Sequence, residues 1–187
     1  MRMGNSACII ALMCLCVGSG LQGAPARAVA AHVVEASISL RFAPPKGWIR
    51  DPAAEKKLGL YRGYIPAGST FENAESAITV SFDKKDEKTA GLDTLKNYFA
   101  DDMRQTLQQV PDAQFARWQP SKLDPAVVPY MSIEIYGKER NQPAPQHLVI
   151  VDAGDGFYSV TVTAQTREML KADKFDTFFN SLAVSSQ

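Results

Sequence analysis

The apolar and polar positions of this chain follow two rhythms, and the order in which they change outlines an architecture. Ser37 to Phe42, SISLRF, puts Ile38, Leu40 and Phe42 on one side and Ser37, Ser39 and Arg41 on the other, the period of a strand with one buried face. LGLYRGYI (58–65) reads as a second strand, weakened by its glycines. AITVSF (77–82) is a third, with Ile78, Val80 and Phe82 opposite the small Ala77, Thr79 and Ser81. The period then lengthens. In LDTLKNYFADDMRQTLQQV (92–110), Leu95, Phe99, Met103, Leu107 and Val110 form a helical stripe that Pro111 stops. Lys96, Asp101, Arg104, Gln105 and Gln108 form its solvated face.

The strand period returns in AQFARWQP (113–120) and VVPYMSIEIYGK (127–138), the latter with Met131, Ile133 and Ile135 on one face. NQPAPQ (141–146) is too short for a crossover, so the following strand is expected to run antiparallel. That strand, HLVIVDAG (147–154), is apolar on both faces, as a central strand covered on each side would be. DAGDGF supplies hairpin chemistry, and FYSVTVTA (157–164) returns along the sheet. TREMLKADKFDTFFNSL (166–182) is helical, with Thr166 as N-cap and Phe175, Phe178, Phe179 and Leu182 on one stripe. The sum is an α+β fold: a mostly antiparallel sheet with helices on both faces, an α/β/α sandwich.

The first thirty residues stand apart. After Arg2, the run Ala7 to Val17 is apolar over roughly 11 residues, far short of the roughly 20 that span a bilayer. Three A-x-A sites follow, at Ala24–Ala26, Ala26–Ala28 and Ala28–Ala30, the pattern of a cleavable secretory signal peptide. Residues 1–30 are therefore expected to be removed, with cleavage after Ala30 or Ala26, leaving 31–187 as a single domain. A retained N-terminal anchor is the competing reading, and the length of the run opposes it. Cys8, Cys14 and Cys16 all leave with the leader, and none sits in a lipoprotein box, so a soluble periplasmic protein without thiols is expected. Arg2 and Arg27 also leave, taking the 20 basic residues to 18 against 20 acidic ones. A net charge of about −2 gives no basic field for nucleic acid and no polybasic patch for lipid, and no stable membrane insertion of the mature chain is expected.

Candidate chemistry is sparse. His32 lies at the start of the mature chain and His147 opens a strand; neither has a nucleophile at a recognisable spacing. Zinc-type His/Cys clusters, G-x-S-x-G and phosphate-binding glycine loops are absent from the sequence. Asp152 and Asp155, with Glu134 nearby, form the best oxygen-ligand set, but a hairpin turn explains Asp-Gly there without a metal. No catalytic, cofactor-binding or metal-binding residue is assigned, no cofactor is expected, and the chain is read as not an enzyme. The cluster DKKDEK (83–88) reads as a solvated turn. Two turn-rich loops, 66–74 and 139–146, are the expected contact surface. In them, Arg140 and Phe71 are the candidate partner-binding residues, Phe71 being either an exposed anchor or a ring packed over a sheet edge.

F-x-x-P-x-G-W, here Phe42, Pro45, Gly47 and Trp48, resembles the entry corner of PsbP-like and DcrB-like domains. SAITVSF (76–82), the helix near 92–110, the strands within 130–163 and a last helix ending F-x-x-F-F-x-S-L follow in the same order, so the resemblance covers about residues 36 to 184. It implies an α/β/α sandwich in which the two prolines turn the chain, Gly47 lets it bend and Trp48 closes a sheet edge. It also implies an exported, non-catalytic binding or accessory module of the bacterial envelope with a protein partner. A small-ligand or lipid carrier, or a chaperone-like binder of apolar segments, is the alternative.

Overall fold

The computed structural model describes residues 38–85, 91–137 and 143–186. Residues 1–30, read from the sequence as a signal peptide, His32, residues 86–88 of the charge cluster and Arg140 lie outside the described residues. Among the described residues nine strands and four helices follow one another: β1 (Ile38–Arg41), β2 (Trp48–Arg50), α1 (Pro52–Leu58), β3 (Arg62–Pro66), β4 (Ser76–Lys84), α2 (Leu95–Gln109), β5 (Ala113–Ala116), β6 (Tyr130–Gly137), β7 (Gln146–Asp152), β8 (Gly156–Ala164), α3 (Arg167–Leu170), α4 (Asp173–Asn180) and β9 (Ala183–Ser186). Seven strands form one sheet in the order β2-β3-β4-β8-β7-β6-β5, with every pairing antiparallel. β1 and β9 pair separately as a two-stranded antiparallel ribbon.

The alternation of β4 and β8 divides the sheet into two unlike faces. Ile78, Val80, Tyr158, Val160 and Val162, joined by Val149 and Val151 of β7, make a large apolar face covered by Leu170, Phe175, Phe178, Phe179 and Leu182. Phe178 is 1% exposed and meets Phe42 and Phe179 edge to face. The ribbon joins this core through Leu40 and Val184. The second face carries two smaller clusters. One, under α1, gathers Ala54, Leu60, Ile65, Phe71, Ala74 and Ala77; the other, under α2, gathers Tyr98, Ala113, Ile135, Leu148, Ile150 and Phe157. Between them β4 and β8 contribute the buried Thr79, Ser81, Ser159 and Thr161. Helices thus cover both faces of a mostly antiparallel sheet, as the hydrophobic pattern implies.

Several elements differ from the sequence reading. Residues 58–61 are not strand: Leu58 ends α1, Gly59 caps it, and β3 begins only at Arg62. Asp51 accepts from the Ala54 amide at 3.0 Å and Pro52 occupies the first turn, where its missing N–H is no loss. The last helix is broken at Lys171–Ala172 into α3 and α4, and Thr166 caps only the first piece, accepting from the Met169 amide. On α2 the stripe is rotated: Leu107 is exposed, whereas Tyr98 and Thr106 are buried. Asp102, spaced four residues from each of them, is half-buried as a whole residue. Its carboxyl, however, is closely surrounded by protein, and those surroundings govern its titration. Burial, with Asp83 and Asp101 adding repulsion, pushes the Asp102 carboxyl up to about 7. Asp83 in turn accepts a hydrogen bond from the Tyr98 hydroxyl, and the Tyr98 ring stacks on Phe157.

The entry corner behaves as its sequence implies. Gly47 has φ +80°, a conformation in which a side chain is strained, and the Trp48 amide donates to the Pro45 carbonyl at 3.1 Å. Trp48 then opens the edge strand β2 and meets Phe175 edge to face.

Candidate functional site

A cleft of about 320 Å³ opens on the first face, between the β6–β7 hairpin and the α3–α4 corner. Its floor is set by register. Glu134 of β6 lies directly opposite His147 of β7, both on the side of the sheet that α3 and α4 cover. Its wall comes from the long link between β5 and β6, which crosses that side and is held by Leu123 and Val128 in the core. The link is also tied to α4: Asp176 accepts from the Ser121 amide at 3.1 Å and its hydroxyl at 2.6 Å, and Asn180 accepts from the Lys122 amide at 2.8 Å. These bonds fix Trp118, whose carbonyl accepts from the Ser132 hydroxyl at 2.8 Å.

The Trp118 ring stacks on the His147 imidazole, with centroids 3.8 Å apart and planes 13° from parallel, and meets Phe179 edge to face. Arg167, the first residue of α3, donates from Nε to Glu134 Oε1 at 2.5 Å and lies 3.8 Å over the Tyr136 ring. The hydrogen bond that it donates to Glu134 raises the Arg167 guanidinium above its ordinary value. Leu170, Lys171, Asp173 and Asp176 complete the lining. Burial pushes His147 down to about 4; Glu134 opposes the fall and Arg167 adds to it, so the imidazole is neutral at neutral pH. His147 is 5% exposed, and among the described residues its Nδ1 has no hydrogen-bond partner. Asp176 is held below the usual carboxylate range, chiefly by the Ser121 hydroxyl.

The residues singled out in the sequence fall elsewhere, with two exceptions, His147 and Glu134. Phe71 is 8% exposed and fills the small core under α1, where its ring would meet a Cβ placed on Gly63 at 3.1 Å. Of its two readings the structure takes the packed one, because Gly63 leaves a hollow in β3 that an aromatic ring fills. Asp152 is held by Lys85 at 2.8 Å and turns the hairpin by accepting from the Gly154 amide, so Lys85 of the charge cluster is part of the structure and not a solvated turn. Glu134 stands away from that corner, because the register places it against His147. Among the described residues no group of three or more His, Cys, Asp or Glu is arranged to hold a metal ion. His147, a strand-opening residue in the sequence, lies in the floor of the cleft directly opposite Glu134. Trp118, Arg167 and Asp176 went unremarked in the sequence reading. The signal that marks the site is Glu134 itself, a carboxylate on the face of an apolar strand that must be covered.

No family model and no curated protein sequence matches the chain. Among solved structures 19 chains match. Cyanobacterial PsbP (CyanoP) from Synechocystis sp. PCC 6803 superposes with a TM-score of 0.53 at 15% identity, over 87% of this chain and 98% of that one. LpqN, involved in cell envelope biogenesis of Mycobacterium tuberculosis, superposes with a TM-score of 0.47 at 13% identity, over 82% of this chain and 87% of that one. A protein of Bacteroides thetaiotaomicron VPI-5482 gives a TM-score of 0.40 at 12% identity, over 79% of this chain and 45% of that one. The chain has a PsbP-like fold, which the ordered motifs from Phe42 to Leu182 imply.

Proposed function

We propose that the protein is an exported, non-catalytic binding or accessory module of the bacterial envelope, acting through protein–protein contacts at the rim of the α3–α4 cleft. The observation that carries the reading is the preorganisation of that corner. Arg167 is committed to Glu134, Asp176 to Ser121 and Asn180, and Trp118 to His147 and Phe179, so a partner meets side chains already fixed in place. Around these fixed groups, Lys171 and Asp173 are exposed and available for contact. The acid–base groups support binding over turnover: His147 is neutral, stacked and buried, and Glu134 is held by Arg167. Export rests on the short apolar leader and its A-x-A sites. No helix among the described residues is long and apolar enough to cross a membrane.

The test is complementation of a deletion strain. Charge reversals at Lys171 and Asp173 are expected to abolish the biological role while leaving the denaturant midpoint unchanged. Retained function in the doubly reversed, folded chain would sink the proposal. Loss of function only with a detectable turnover of substrate would replace it with an enzyme. The cleft itself favours a second reading, a carrier of a small ligand, because its volume lies at the lower end of the range of small-molecule sites.

A further inference from the structure

We propose that the cleft walled by Trp118 and floored by Glu134 and His147 binds a neutral sugar. The argument starts from which hydrogen-bonding capacity the protein leaves uncommitted. Arg167 gives Nε to Glu134, and among the described residues no hydrogen bond to protein engages its two terminal nitrogens. Lys171 reaches only the exposed Glu168, at 3.4 Å. These are donors. On the acceptor side, among the described residues no hydrogen bond to protein engages Glu134 Oε2 or the Asp173 carboxylate, both of which line the cleft.

The mixture decides the class of ligand. An ammonium or guanidinium group satisfies the acceptors only and faces Arg167 and Lys171. A carboxylate or phosphate satisfies the donors only and faces Glu134, Asp173 and Asp176. The ligand that donates and accepts at neighbouring atoms, without net charge, carries vicinal hydroxyl groups. The apolar part of the lining, the Trp118 ring and Leu170, matches the C–H face of a pyranose. The ion pair Arg167–Glu134 offers a fork and a carboxylate side by side, the planar groups that hold adjacent hydroxyls in a fixed orientation.

The proposal does not rest on export or on a protein partner, and its test separates them. The protein purified from the producing cell is titrated with maltose, cellobiose and N,N′-diacetylchitobiose, read by calorimetry and tryptophan fluorescence. The same protein is applied to immobilised neutral oligosaccharides, which distinguishes a chain end from a free sugar. Arginine amide and propionate serve as charged competitors. The expected result is saturable binding of at least one neutral sugar, not displaced by either competitor. Binding is expected to weaken about tenfold or more in Arg167→Met and in Trp118→Leu, as the loss of one charge-assisted hydrogen bond or of the aromatic wall implies. Arg167 is part-exposed, so its variant reports even where Trp118→Leu disturbs folding. The proposal is overturned if no sugar binds in either format, if a charged competitor binds in its place, or if folded Arg167→Met binds like the parent. A protein partner captured by a chain that ignores every sugar refutes this proposal and leaves the previous one standing.

Discussion

Replacing Asp102 with asparagine is expected to stabilise the protein, and by an amount that depends on pH. Asp102 lies on the inner face of α2 between Tyr98 and Thr106, and its carboxyl ionises at about 7 instead of the ordinary 3.8. A carboxyl raised in the folded state keeps its proton after the unfolded chain has lost it. Stability therefore falls as pH rises from about 3.8 to about 7 and is flat above. A shift of that size corresponds to at most about 4 kcal/mol at pH 8, which is a large share of the 5–15 kcal/mol typical of a domain. Asparagine keeps the shape and the polar burial but never ionises, so it recovers most of the difference at pH 8 and little near pH 4. Urea unfolding of parent and Asp102→Asn chains across this range is the assay. With a slope of about 1–3 kcal/mol per molar urea, the midpoint at pH 8 is expected to rise by about 1 M or more. A midpoint at pH 8 equal to or below that of the parent refutes the reasoning, and with it the packing of that carboxyl under α2.

Three further outcomes follow from the packing. His147 titrates at about 4 instead of 6.5, so its contribution runs the other way: stability is lost as pH falls from about 6.5 towards 4, by about 1–3 kcal/mol, and His147→Gln is expected to remove that slope in the same urea series. Phe178→Ala, which empties a fully buried site between Phe42 and Phe179, is expected to cost about 3–5 kcal/mol; a midpoint within error of the parent would place the α4 stripe in contact with water. Gly156→Ala puts a methyl 2.4 Å from Phe82 Cζ and 2.6 Å from the Asp83 carbonyl oxygen, on the strand that pairs with it, and is expected to lower the thermal midpoint through about 1–3 kcal/mol of overpacking.

The large elements were legible because their patterns are long. β4, β8 and α2 each present enough positions for a period to declare itself, and the turn-rich link NQPAPQ (141–146), too short for a crossover, calls for the antiparallel pairing that β6 and β7 adopt. What escaped was short or long-range. α1 has seven residues, too few to show a stripe, although Asp51-Pro52 and Gly59 mark its ends. The break of the last helix at Lys171 and Ala172 is hidden because the stripe Phe175 to Leu182 lies wholly after it and shows a helix without showing where that helix begins. Phe71 reads as stranded in a polar loop until Gly63, on a strand eight residues earlier, is seen to leave room for its ring. The cleft is harder still. Trp118 meets His147 only because Asp176 and Asn180 of α4 hold the β5–β6 link across the sheet, a contact spanning more than fifty residues of sequence. Of its members, only Glu134 and His147 are singled out by the sequence itself.

The central claim, that this corner is where the protein meets a partner, is tested most directly by site-specific photocrosslinking in intact cells. A photoreactive residue is placed at Lys171, on the rim of the cleft, and separately at Leu107, which is 42% exposed on α2 and on the other face of the sheet. The account expects a discrete protein adduct from position 171, identified by mass spectrometry, and none from position 107. No adduct from 171, or the same adduct from both positions in folded chains, would contradict it.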